Sequence, residues 1–294
     1  MQRISILLAG SMLIVASYAE ARDLNVVASF TVLADVVQNI GGPQVHVTSL
    51  VGPNGDPHVF SPTPGDAANL GKADAVFISG LGLEGWMTRL IKVSGYKGKV
   101  TVASSGMKTH RMVDDGKTVT DPHVWNDMSN GVIYAKNVTA ALVAADPADA
   151  ATFQANSAAY IKRLQALDAY AKQKFASIPR AQRKVLTSHD AFGYFAAAYG
   201  VTFLSPLGLS TDSEASAGDM TKLIKQIRQE KVKTYFFENS NDPRLVKQIA
   251  SATQARPGGE LYVEALSKAD GPAATYEAMF KYNVDQLYAG MTAQ

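Results

Sequence analysis

The chain has 294 residues, a formal net charge of +2 and no cysteine. Near-neutral charge, without basic residues clustered among aromatics, argues against a nucleic-acid surface. Without cysteine there are no disulfides, thiolate metal ligands or lipid-modified amino-terminal Cys, and a chain this long is expected to split into two lobes rather than enlarge one core.

Met1-Gln2-Arg3, an apolar stretch over 4–16 and Ala19-Glu20-Ala21 read as the charged start, hydrophobic centre and A-x-A cleavage site of a signal peptide over 1–21. A membrane anchor needs about 20 apolar residues, and this stretch is shorter and runs directly into Arg22-Asp23. Export to a periplasm is therefore expected. Short β-branched runs at 24–29, 45–51, 75–78 and 99–102 then alternate with helical patterns at 33–40 and 64–71, the signature of parallel βαβ units. This first lobe is assigned to 22–145.

Residues 146–179 read as one long helix, with Asp146-Pro147 at its start and Phe153, Tyr160, Leu164, Leu167, Ala171, Phe175 and Ile178 at helical spacing. Such a helix is a rod of about 45 Å, long enough to brace two lobes and to limit their closure. A second α/β lobe is assigned to 180–294, with strands at 184–188, 202–204, 234–237 and 260–263 and helices at 191–199, 219–230 and 243–253. The expected fold class is α/β: two similar lobes with parallel sheets flanked by helices, joined by one long rigid α-helix.

Of five histidines, two share a tetrapeptide: Asp56-Pro57-His58-Val59 before Phe60, and Asp121-Pro122-His123-Val124 before Trp125. Proline fixes its own φ and pushes the preceding residue toward extended backbone. Each imidazole thus follows a stiff corner and loses little freedom on binding. Neutral imidazole is a common ligand for zinc and its neighbours, so the repeat points to a shared metal site. His189, in Ser188-His189-Asp190, follows the apolar run Val185-Leu186-Thr187, placing it at the carboxyl end of a strand, where ligands collect in open α/β sheets. A fourth donor is expected in the last quarter of the chain. Glu264, after Leu261-Tyr262-Val263, is the first choice; Asp270, in the loop 267–271, is the second; Glu238, after Tyr235-Phe236-Phe237, is the third.

Gly55-Asp56-Pro57-His58-Val59-Phe60-Ser61-Pro62-Thr63-Pro64, the segment Gly80-Leu81-Gly82-Leu83-Glu84-Gly85-Trp86, Asp121-Pro122-His123-Val124-Trp125-Asn126-Asp127, Ser188-His189-Asp190-Ala191-Phe192-Gly193-Tyr194-Phe195 and Phe237-Glu238-Asn239-Ser240 together resemble the periplasmic zinc/manganese-binding proteins that feed ABC-type metal importers. The resemblance covers nearly the whole chain after residue 21. It implies two α/β lobes joined by a long helix, with metal between them held by His58, His123, His189 and a later carboxylate. It also implies an ABC-type membrane permease with its ATPase as partner; the expected transported ligand is Zn2+ and the expected state a monomer, with a periplasmic zinc metallochaperone as an additional candidate partner that no motif in the chain supports. The family's fourth ligand is usually Asp, whereas the matching position here is Glu264. Many zinc-binding members carry a long His-rich loop before the second ligand; here 104–120 holds only His110, with Asp114 and Asp115 nearby.

Three nitrogens and one carboxylate suit zinc, whereas oxygen-rich sites suit manganese. Manganese-favouring members tend to replace the third His by a carboxylate, so His189 points to zinc, with manganese as the alternative cargo. A zinc hydrolase would keep an open position for water beside a base such as Glu238 or Asp190. No H-E-x-x-H occurs in the chain, and catalysis is not expected. An adhesin role, sometimes attributed to similar proteins, finds no surface-anchoring feature here.

Overall fold

The computed structural model describes residues 23–114, 116–209, 211 and 216–293. The expected signal peptide over 1–21 lies outside the described residues. The first lobe is built on strands β1 (Leu24–Phe30), β2 (Val45–Val51), β3 (Ala75–Ile78) and β4 (Val100–Val102), all parallel in the order β2-β1-β3-β4. The interior strand β1 is almost continuously apolar because helices cover both faces of the sheet. Helix α1 (Thr31–Gly41) buries Val32, Leu33, Val36, Val37 and Ile40, one face at helical spacing. Helix α2 (Pro64–Gly71) starts on a reciprocal cap, in which the Thr63 side chain accepts from Asp66 N and Asp66 bonds back to Thr63 N. Helix α3 (Met87–Ser94), the antiparallel hairpin β5 (Arg111–Asp114) and β6 (Lys117–Thr120), and helix α4 (Met128–Ala145) complete this lobe.

Helix α5 (Ala150–Ala176) has 27 residues and packs against α1 and α4. It spans about 40 Å and matches the long connecting helix expected from the sequence. It begins later than Asp146-Pro147 would suggest. Asp146 instead closes α4, with its N–H on Leu142 O, and its side chain accepts from Ala148 N at 3.0 Å. That local turn holds the chain out of helical geometry until Asp149.

The second lobe holds β7 (Lys184–Leu186), helix α6 (Gly193–Tyr199), β8 (Thr202–Leu204), helix α7 (Ala217–Glu230), β9 (Thr234–Glu238), helix α8 (Arg244–Thr253) and β10 (Arg256–Leu261). Its parallel sheet runs β10-β9-β7-β8. Counted from each lobe's first strand, the two sheets have the same order. In both, the first strand lies between the second and third, so the winding reverses there and leaves a crevice at the carboxyl ends. The last strand occupies 256–261 rather than the expected 260–263. Pro257-Gly258-Gly259 reads as a loop, yet β10 is an edge strand, where proline is tolerated, and the register shifts between Pro257 and Gly259. Gly258 is required there, because a Cβ would lie 2.4 Å from the Phe236 ring.

The carboxy-terminal helix α9 (Tyr276–Thr292) packs on α5, β10 and α1. One apolar cluster consequently runs through both lobes and includes Val26, Phe77, Tyr134, Phe153, Phe175, Phe195 and Phe280. A smaller cluster of Leu186, Leu204, Leu223, Ile227, Val246 and Ile249 lies under α7 and α8. The shared core and the α5 brace oppose large hinge motion between the lobes.

Candidate metal centre

The two Asp-Pro-His segments fold as the same turn. Asp56 Oδ1 accepts from His58 N at 2.8 Å, and Asp121 Oδ1 accepts from His123 N at 2.9 Å. In each, the aspartate side chain closes a bend two residues long, proline stiffens it, and the imidazole projects from its exit. His58 lies on the loop after β2, and His123 on the loop after the hairpin. His189 follows β7, where Thr187 N donates to Leu204 O at 2.9 Å and Asp190 N to Leu207 O at 3.0 Å, continuing the pairing with the β8 segment. Glu264 sits in the loop after β10, fixed on the far side of the cleft by Leu266 N donating to Thr31 Oγ1 at 2.8 Å.

These four side chains, His58, His123, His189 and Glu264, are brought together, each with one donor atom within 4.8 Å of the others. Glu264 Oε1 is 2.5 Å from His58 Nε2 and 3.2 Å from Nε2 of both His123 and His189. His58 Nε2 and His123 Nε2 are 3.2 Å apart. His123, His189 and Glu264 are fully buried, while His58 keeps 8% of its side chain exposed and forms the solvent edge. The other candidates are elsewhere. Asp270 is exposed on its loop, and His110 stacks on Tyr194 at 4.4 Å. Asp114 accepts from Leu209 N at 2.9 Å, and Asp115 lies outside the described residues.

The far nitrogens of two imidazoles are held by carboxylates. Asp121 Oδ1 is 2.9 Å from His123 Nδ1, and His189 Nδ1–H donates to Glu238 Oε2. Glu238 also accepts from Ser188 N at 3.0 Å and from Asn241 Nδ2 at 2.9 Å. Its reading as a third-choice donor is thus replaced by a supporting role. Strand position put it at the right edge of the sheet, but spacing does not tell which face of an imidazole it meets. Such partners fix the tautomer so that Nε2 presents its lone pair inward. Gly193 lets α6 approach, since a Cβ there would lie 2.5 Å from Asp121 Oδ2.

Electrostatics match a site waiting for a cation. Burial alone would raise the Glu264 carboxyl, but the His58 and His189 charges and the hydrogen bonds from His123 and His189 hold it well below the usual carboxylate range. Burial would lower His189; Glu238 and Glu264 overcome this and push it well above an ordinary imidazole. His123 is raised in the same way, by Asp121 and Glu264 against burial.

Two α/β lobes of matching topology, braced by one helix and closing on a buried cluster of three imidazoles and a carboxylate, define a binding protein for a small cation. The chain belongs to the family described as zinc-uptake complex component A, periplasmic, which it matches over residues 26–290. It is similar to the manganese ABC transporter substrate-binding lipoprotein scaA of Streptococcus gordonii, 32% identical over 275 residues, with 91% of this chain and 89% of the relative covered. Among solved structures it resembles the periplasmic zinc binding protein TroA from Treponema pallidum, with a TM-score of 0.87 and 34% identity, covering 92% of this chain and 100% of that one. It also resembles a Mn-bound periplasmic metal binding protein from Candidatus Liberibacter asiaticus, with a TM-score of 0.81 and 30% identity, covering 90% and 98%. The chain is accordingly the metal-binding component of an ABC-type importer, a transport protein whose divalent metal is cargo, and not an enzyme.

Proposed function

We propose that the protein captures one divalent first-row metal ion in the periplasm, with His58, His123, His189 and Glu264 as ligands, and presents it to a membrane permease driven by its ATPase. The observation that carries this reading is the size of the cluster. A tetrahedron of ligands with bonds near 2.05 Å has six edges of about 3.3–3.4 Å; three of them, His58–His123, His123–Glu264 and His189–Glu264, are 3.2 Å, and all six lie within 4.8 Å. A further edge, His58 to Glu264 at 2.5 Å, opens as the ion enters at the exposed His58 edge. A monomer suffices for this cycle, and a metallochaperone would be an additional acceptor.

Manganese is the cargo with the wider support, named for the Streptococcus gordonii relative and the Liberibacter structure. Glu264 offers a second oxygen, and bidentate binding would raise the coordination number toward what manganese takes. Zinc is the second reading, favoured by the three-nitrogen donor set and by the TroA likeness. Any such site binds zinc more tightly than manganese, so affinity alone does not select the cargo; supply does. Metal analysis of protein recovered from its own export compartment separates the two. Stoichiometric manganese supports the first reading and stoichiometric zinc the second. Protein that arrives empty and binds neither ion on titration would overturn both.

A further inference from the structure

We infer that the short turn Val124–Asn126 is a positioning element that registers the donors of the second lobe against those of the first, beside the Leu266–Thr31 bond of the Glu264 loop. This rests on the ligand set proposed above. Two consecutive side chains of the turn reach across the cleft. Trp125 Nε1–H donates to Val263 O at 2.7 Å, one residue before Glu264, and Asn126 Nδ2 donates to Ala191 O at 3.0 Å, two residues after His189. His123 immediately precedes the turn. One rigid piece of chain therefore ties together three of the four donors, drawn from both lobes.

The turn is itself immobilised. Trp125 is fully buried, with its ring against Phe30 at 4.9 Å, and the Tyr276 hydroxyl donates to its carbonyl. Asn130 Nδ2 donates to Val124 O at 3.1 Å and anchors the turn to α4. Trp86, the other of the two tryptophans in the chain, makes the parallel contact inside the first lobe, its Nε1–H donating to Pro57 O at 2.8 Å, one residue before His58. Indole suits this task because it delivers one N–H from a large, rigid ring whose burial fixes the donor's direction. Metal sites tolerate only about 0.5 Å of ligand drift, so an unanchored Val263 or Ala191 carbonyl loosens the site without removing a ligand.

The test uses the full chain with Trp125→Phe and Asn126→Ala, reading zinc dissociation rate, zinc affinity, the visible absorption of the Co2+-loaded protein and the melting temperature of the metal-free protein. Each variant is expected to speed zinc release and weaken affinity about tenfold, the worth of one buried hydrogen bond, and to alter the Co2+ band that reports tetrahedral geometry. Thr234→Val is the comparison: it removes a bond to Gly290 O of 2.7 Å at the opposite end of the second sheet, and should lower the melting temperature while leaving release and the Co2+ band unchanged. Melting changes in both turn variants, with release rates and Co2+ spectra within twofold of wild type, would overturn the inference. Should Trp125→Phe fail to fold, Asn126→Ala decides alone. His123→Ala separates the two levels: if it binds zinc as wild type, the ligand set is wrong, whereas inert turn variants beside an inactive His123→Ala refute only the positioning role.

Discussion

Replacing Glu238 with Gln keeps the side chain's shape and removes its charge. Glu238 accepts at both oxygens: Ser188 N at 3.0 Å and His189 N at 3.3 Å on Oε1, His189 Nδ1 and Asn241 Nδ2 on Oε2. A glutamine has one acceptor, so its amide NH2 must face one of these donor pairs. Whichever way it turns, His189 loses either its charge-assisted Nδ1 partner or the backbone contact that seats its loop. Charge-assisted bonds exceed neutral ones by about 1–2 kcal/mol, and loss of a ligand's supporting partner costs about 10–100-fold in metal affinity. Glu238→Gln should therefore bind metal about 10–100-fold more weakly, measured by competition with a chelator, while melting close to wild type when metal-free. Glu238→Ala, which strands three buried donors and the half-buried Asn241 amide, should lose stability as well, by about 3 kcal/mol. A folded Glu238→Gln with wild-type affinity would refute the reasoning.

Metal binding should release protons. His123 and His189, pushed up by Asp121, Glu238 and Glu264 against the opposing effect of burial, hold a proton more tightly than an ordinary imidazole, and a metal must displace it. Calorimetry near pH 7 should give enthalpies that vary with buffer ionisation, and affinity should fall as the pH drops below 7; buffer-independent enthalpies and a flat profile would contradict this. Asp35 offers a second pH effect, on stability. Burial raises its carboxyl from 3.8 to about 6, despite the hydrogen bond it accepts from Tyr276 N. A raised acid favours the neutral form in the fold, so this stabilisation is complete below about pH 4 and is lost as the pH rises through about 6. Asp35→Asn should then stabilise by up to about 3 kcal/mol at pH 7 and by nearly nothing at pH 4 in urea denaturation; an equal gain at both pH values would rule the explanation out.

Much of the site was legible because its geometry is local. An Asp-Pro-His turn is encoded in three consecutive residues, and the carboxyl-end rule for parallel sheets needed only the apolar run before His189. Glu264 was reached through a strand placed too late, since β10 ends at Leu261; the chain bends at 263–265, yet Glu264 still lies just past the carboxyl end of β10, so the edge of the sheet was right. Helices α4 and α9 were not anticipated. The first turn of α4 contains Asn130 and Gly131, and the glycine admits Tyr276, whose hydroxyl would lie 2.9 Å from a Cβ. Asn283 is a buried polar residue on α9 that bonds both the N–H and the carbonyl of Tyr262. Polar and small residues turned inward dilute the periodicity from which a helix is read. The roles of Glu238, Trp125 and Asn126 depend on partners 49, 138 and 65 residues away, distances at which no local pattern operates.

The central claim is that four side chains from two lobes hold one metal ion. It is tested most directly by zinc and manganese affinities and stoichiometries of the purified wild type and of His58→Ala, His123→Ala, His189→Ala and Glu264→Ala. The wild type should bind one ion, and each variant should keep its fold by circular dichroism and lose at least about a hundredfold in affinity, since removal of a ligand costs more than removal of a ligand's partner. A variant that folds and binds as tightly as the wild type would remove that residue from the site, and full retention in Glu264→Ala would mean that the second lobe closes the site through His189 alone.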